Sequence, residues 1–124
     1  MTKVWRSGRE SHLLDDIIAG RKTIEGRLNR AKFAQYRVGD TVSLRRDWRD
    51  EQGALHDGEP DACQVEIVAI RNYKSFLEMV TVEGYERVIP SATSTEEAAA
   101  EYDRYYSAHD QQTYGVIAVE LRVL

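Results

Sequence analysis

The chain has 124 residues, 42% of them hydrophobic and 31% charged, with a formal net charge of −4. That is enough for a single domain over residues 1–124 built on one core, and too little for two ordinary domains. The acidic balance argues against a general nucleic-acid coat, and no apolar run reaches the length of a membrane span. The N-terminus lacks a hydrophobic signal core, so a cytoplasmic protein with no membrane partner is expected. One cysteine, Cys63, cannot form an internal disulfide and reads as a small buried hydrophobe.

Residues 3–5 read as a short first strand. Ser11 fits a helix cap, and Leu13, Leu14, Ile17 and Ile18 recur at helical spacing until Gly20 ends the helix. The stretch Gly20-Arg21-Lys22-Thr23-Ile24-Glu25-Gly26-Arg27-Leu28-Asn29 follows, with a strand expected over 22–27. On an extended chain Glu25 and Arg27 point to one face, about 7 Å apart, and Ile24 and Leu28 point to the other, toward core. Lys22 starts the strand beside a glycine, and its long stem can reach either surface. One strand thus offers a cation, a carboxylate and a guanidinium near one mouth. The plainer alternative is a solvated edge strand with a mutual salt bridge.

Residues 29–36 interleave Ala31, Phe33, Ala34 and Tyr36 with Arg30 and Lys32, as a helical turn or a loop. Such a mix suits phosphate contact plus base stacking, or a surface segment pinned by one aromatic. Val38-Gly39-Asp40 turns into a strand over 41–45. Residues 47–61, with Gly53, Gly58, Pro60 and many acids, read as a long hairpin loop carrying Trp48. Residues 62–72 form the expected central strand. Phe76, Leu77 and Val80 make a short helical stripe, and Tyr85, Val88 and Ile89 make a second one stopped by Pro90. Ser94-Thr95-Glu96-Glu97 is a capping box opening a helix to about Tyr106, with Ala98, Tyr102 and Tyr105 on its apolar face. Residues 114–123 alternate as a closing strand. The fold class expected is α+β, a small, partly open β-barrel with short helices packed at its ends.

Charge is polarised along the chain. Residues 21–37 hold six basic residues and one acid, and residues 94–110 hold five acids and one arginine. A basic patch on an acidic body can draw in a phosphate, or the two segments can neutralise each other. No dinucleotide-binding or phosphate-loop glycine motif and no nucleophile elbow is present. His12, His56 and His109 lack ligand spacing, so no metal ligands are expected. What remains is Lys22, Glu25 and Arg27, a second carboxylate from Glu83 or Glu86, and the hydroxyls of Tyr106 and Ser107. A lysine acts as a base only if burial lowers its pKa, and an arginine fork suits a phosphate or a carbonyl. This set supports hydrolysis of an amide or a phosphodiester, or simple nucleotide binding.

The stretch from Gly20 to Asn29, with Val38-Gly39-Asp40, resembles the signature of the ASCH domain family (activating signal cointegrator homology) of the PUA-like superfamily. Gly84-Tyr85-Glu86-Arg87-Val88-Ile89-Pro90 and Glu101-Tyr102-Asp103-Arg104-Tyr105-Tyr106-Ser107 resemble a helical region of its small bacterial branch with the Lys-Thr-x-Glu-Gly-Arg core. The resemblance implies a PUA-like barrel with a cleft beside the Lys-Thr segment, and RNA or a modified nucleoside as partner. Some members are N4-acetylcytidine amidohydrolases using a lysine, a threonine and a glutamate. The lysine carries over to Lys22, but Glu25 stands in place of the threonine, with Thr23 adjacent. Other members are ribonucleases on single-stranded RNA, which implicates Lys22 and Ser107. The expectation is an RNA- or nucleotide-binding hydrolase, with ribonuclease ahead of amidohydrolase and a non-catalytic RNA-binding module as the further alternative. Lys22, Glu25 and Ser107 are the expected catalytic residues, and Arg27, Arg21, Thr23, Glu86 and Tyr106 the expected substrate-binding ones. No cofactor is expected, with a divalent metal ion left open for a ribonuclease.

Overall fold

The computed structural model describes residues 2–124. Strands β1 (Val4–Glu10), β2 (Ile24–Leu28), β3 (Thr41–Arg49), β4 (Leu55–Tyr73) and β5 (Val116–Val123) form one mixed sheet in the order β1-β3-β4-β5-β2. β1 runs parallel to β3, and the other pairs are antiparallel. The sheet curls into a half-barrel, the α+β fold expected. Its two edge strands, β1 and β2, come from the first 28 residues. The helices are α1 (Ser11–Ile18), α2 (Phe76–Glu83), α3 (Tyr85–Val88), α4 (Thr95–Asp103) and α5 (Ala108–Tyr114), with a 3-10 turn at Ala31–Gln35.

The alternation of β5 explains how the layers form. Ile117, Val119 and Leu121 face the hollow of the sheet, where they meet Leu14 and Ile17 of α1 with Val42, Leu44, Cys63, Val65 and Ile67. Val116 and Ala118 face the other way, as do Ile24 and Leu28 of β2, and this outer face also needs cover. Phe76, Met79, Val80, Val88, Ala98 and Tyr102 supply it. Each fully buried side chain of this size contributes roughly 1.5–3 kcal/mol. Helices α2 to α4 therefore pack against the sheet as an additional layer. They lie on the outer face of β2 and β5 and enclose a second core, because β5 is apolar on both faces.

Other elements also depart from the sequence reading. β1 runs on to Glu10, and its start is fastened by Asp40, which accepts from Lys3 N (2.9 Å) and Trp5 Nε1 (2.9 Å). Glu10 rather than Ser11 occupies the cap position of α1, and Ser11 Oγ instead accepts from Arg46 Nη1 at 2.6 Å. Of residues 47–61, only 50–54 form the hairpin loop. β3 and β4 run through the others as hairpin arms, absorbing the irregular composition in register shifts around Arg46. Trp48 lies on β3, stacked on His56 at 4.6 Å. The capping box holds, with Ser94 Oγ accepting from Glu97 N at 3.1 Å, but its helix ends at Asp103. Tyr105 is exposed, and a separate helix, α5, follows.

Candidate functional site

The site grows from the passage between α1 and β2. Gly20, at φ +79°, lets the chain leave α1, while Arg21 N and Lys22 N still bond to Asp16 O (2.9 and 3.0 Å). Thr23 N then donates to Arg87 O at 3.0 Å, so the segment is pinned beneath α3 before β2 begins. Lys22 is thereby turned inward. Its side chain is 3% exposed, and Nζ donates to Val88 O (2.5 Å) and Ile24 O (2.8 Å), 3.8 Å from Glu25 Oε1.

Glu25 and Arg27 share the inward face of β2, as strand alternation requires. Arg27 Nη1 donates to Glu25 Oε1 at 2.6 Å and to Gly26 O at 2.7 Å. Glu25 Oε2 accepts from Arg9 Nε at 2.7 Å. Arg9 belongs to β1, the opposite edge of the sheet, so the open side of the half-barrel is spanned by side chains. Arg9 Nη1 also donates to Gly8 O at 2.6 Å. Gly26 has a different task. A Cβ there would stand 2.9 Å from both Met79 Cε and Tyr102 Oη, so its hydrogen lets α2 and α4 close onto β2.

A cleft of about 780 Å³ opens over these groups. Arg9, Lys22, Glu25 and Arg27 line it together with Tyr102, Tyr105 and Tyr106, and Glu97 and Glu101 of α4 also face it. Burial pushes the Lys22 amine below its ordinary value. Glu25 opposes that shift, and Arg27 and Arg9 reinforce it. Burial alone would raise Glu25, but Arg27, Arg9 and Lys22 outweigh it and hold the carboxyl far below the usual range. Burial and the Glu25 charge together push Tyr102 up, which keeps its hydroxyl protonated. Three cations thus share one carboxylate in a sheltered space.

Of the residues expected from sequence, Lys22, Glu25, Arg27 and Tyr106 meet in this cleft. The others lie outside its lining. Arg21 is exposed and pairs with Asp16 at 2.7 Å, because the turn after Gly20 throws it outward. Thr23 faces away from the cleft, and its hydroxyl is buried with no hydrogen-bond partner among the described residues. Glu86 is exposed on α3, and Glu83 is held by Arg71 (2.6 and 2.7 Å), Tyr73 (2.5 Å) and Arg87 (3.3 Å). Ser107 caps α5, its hydroxyl accepting from Asp110 N at 3.1 Å. Arg9 was not anticipated. The available signal was that it shares a strand face with Trp5, which packs on the inner core.

The family model described as "ASCH domain" matches residues 11–123. The chain is similar to the crystal structure of hypothetical protein PH0355, at 33% identity and a TM-score of 0.80 over 98% of this chain and 99% of that one. It is similar also to the solution structure of protein PF0455 from Pyrococcus furiosus, at 36% identity and a TM-score of 0.75 over 98% and 97% of the two chains. Protein EF3133 from Enterococcus faecalis V583 shares the fold alone, at 14% identity and a TM-score of 0.62, over 100% of this chain and 77% of that one. No curated protein matches. No helix among the described residues is long and apolar enough to cross a membrane. With its family match over nearly all its length and its half-barrel built around the Lys22–Arg27 stretch, the chain belongs to the ASCH domain family, a PUA-like RNA-binding fold.

Proposed function

We propose that the protein binds one nucleotide unit of single-stranded RNA in the cleft over Glu25 and acts there as a hydrolase, cleaving the phosphodiester. The observation that carries this reading is the charge count at the cleft floor. Arg9 and Arg27 flank a single carboxylate, which leaves one positive charge uncompensated in a partly dry site even when Lys22 is neutral. At about 5 Å and an effective dielectric near 20, each cation attracts a unit negative charge by roughly 3 kcal/mol. A phosphate meets that excess, and a neutral nucleoside does not.

Within this reading Arg27 and Arg9 hold the phosphate, and the Tyr105 and Tyr106 rings form a wall on which a base stacks. Lys22, whose burial eases loss of its proton, takes the proton of the attacking 2′-hydroxyl as that oxygen bonds to phosphorus and returns it to the leaving 5′-oxygen as the P–O5′ bond breaks, while Glu25 fixes the lysine and both arginines in place. Ser107 acts as a helix cap. The amidohydrolase alternative, on N4-acetylcytidine, uses the same lysine and cleft but leaves the excess charge without a role. Incubating labelled single-stranded RNA with the protein tests the proposal. Cleavage that persists in chelator and disappears in Lys22→Ala is expected. Intact RNA with the wild type, or equal cleavage by Lys22→Ala, refutes the ribonuclease assignment. Acetate release from N4-acetylcytidine moves it to the amidohydrolase. Salt-sensitive binding without turnover moves it to a binding module.

A further inference from the structure

The 3-10 turn beside the cleft holds a cation, Lys32, that the reading above leaves unused. Its first residue, Ala31, sits at φ +54°, a left-handed conformation that a residue with a Cβ rarely adopts. The turn brings Phe33 back against Tyr36, with ring centres 5.4 Å apart in an edge-on contact. Tyr36 belongs to the inner core, so the aromatic pair anchors the turn. Around the Phe33 ring stand two cations. Arg27 Cζ lies 5.2 Å from its centre and Lys32 Nζ 5.4 Å, which puts the two charges within about 11 Å of each other.

Lys32 differs from most basic residues of this surface. Arg6, Arg21, Arg45 and Arg46 each have a carboxylate within 3 Å. Among the described residues no carboxylate lies within 4.0 Å of Lys32 Nζ, which donates only to Arg6 O at 2.9 Å. The charged groups that act on it are Arg9, Arg27 and Arg45, all cations, and they reinforce its partial burial in lowering its pKa. Arg45 itself is occupied by Asp47 (2.6 Å) and Asp57 (3.2 Å). A lysine placed by a strained turn among arginines, with protons to spare and no acid of its own, leaves room for an anion from outside.

We infer that Lys32, next to Arg27 on the Phe33 ring, is a second phosphate subsite, so that the ligand is an oligonucleotide with at least two consecutive phosphates. This rests on the cleft being the nucleotide site. The first phosphate lies over Arg9 and Arg27, and the strand leaves the cleft across the 3-10 turn.

The test compares two uncleavable ligands, a 2′-O-methyl nucleoside 5′-monophosphate and the matching 5′-phosphorylated 2′-O-methyl dinucleotide, by calorimetry over a salt series. The wild type is expected to bind the dinucleotide more tightly. Lys32→Gln, which keeps a donor toward Arg6 O, is expected to lose roughly 5-fold in dinucleotide affinity and none for the monophosphate. Its log–log salt slope should fall by about 0.7, one phosphate contact on a single strand. Lys32→Arg should retain the preference. Equal affinity of the wild type for both ligands, or an equal loss for both in Lys32→Gln, overturns the second subsite and leaves the cleft reading intact. A wild type that binds neither ligand overturns both.

Discussion

Replacing Glu25 with glutamine removes the one negative charge among Arg9, Lys22 and Arg27. Its side chain is 9% exposed, and its carboxylate accepts at 2.7 Å from Arg9 and 2.6 Å from Arg27. At about 4 Å between charge centres and an effective dielectric near 20, each arginine pair is worth roughly 4 kcal/mol before desolvation is subtracted. The net cost of leaving partners of a buried pair uncompensated is about 3–5 kcal/mol, and the three clustered cations set the expectation near the top of that range. That approaches the whole stability of many small domains, so urea unfolding is best followed with Arg9→Met as a companion. Arg9→Met costs less, about 1–3 kcal/mol, because Glu25 keeps Arg27 and Lys22. The pH dependence has a defined sign. Glu25 is depressed in the fold, so its contribution is fully present above the unfolded carboxyl pKa of about 4.3 and is lost as pH falls below it. The wild type should therefore lose stability below about pH 4.5 more steeply than Glu25→Gln. A Glu25→Gln protein within 1 kcal/mol of wild type at pH 7, with an unchanged acid limb, refutes the argument.

Gly26→Ala is expected to cost about 1–3 kcal/mol by thermal unfolding, since Met79 can move aside but Tyr102 is stacked on Phe76 at 4.3 Å. An unchanged melting temperature counts against the tight closure of α4 on β2. Turnover that uses Lys22 as a base should rise with pH to a plateau, with a midpoint below the ordinary lysine value, because only the neutral amine accepts a proton. A midpoint at or above that value removes Lys22 from the role of base. Ser107→Ala should cost about 1 kcal/mol of stability through the lost cap of α5 and leave RNA affinity and cleavage unchanged. A selective loss of cleavage at full stability returns Ser107 to the catalytic set.

The part of the site that could be read in advance is the part written along one strand. Alternation over Ile24–Leu28 alone places Glu25 and Arg27 together with Ile24 and Leu28 behind them, and the structure keeps that arrangement. Arg9 could not be found in this way. It sits 16 residues from Glu25, in a polar run beyond the residues 3–5 expected as strand, and the two meet only when opposite edges of the sheet curl toward each other. Helix α5 escaped for a related reason. Its residues show no apolar stripe, only Gln111 is buried, and Gln111 holds its place by hydrogen bonds to Phe76 N (2.9 Å) and Asp103 (2.9 Å). The arms of the β3–β4 hairpin were hidden by glycine, proline and acids, which mark turns in most settings. Here ladder pairing from Thr41 to Arg49 carried the strands through them.

The open flanks of the half-barrel bear on how the protein behaves when crowded. A bare sheet margin is a template on which a second molecule can add its own strand and start an aggregate. Here successive carbonyls along both margins are already engaged by ammonium or guanidinium groups: Arg6 O by Lys32, Gly8 O by Arg9, Ile24 O by Lys22 and Gly26 O by Arg27. The cations assigned to the phosphates in the reading proposed above thus also occupy carbonyls that an added strand would need. A variant stripped of them to abolish binding would gain a sticky border at the same time.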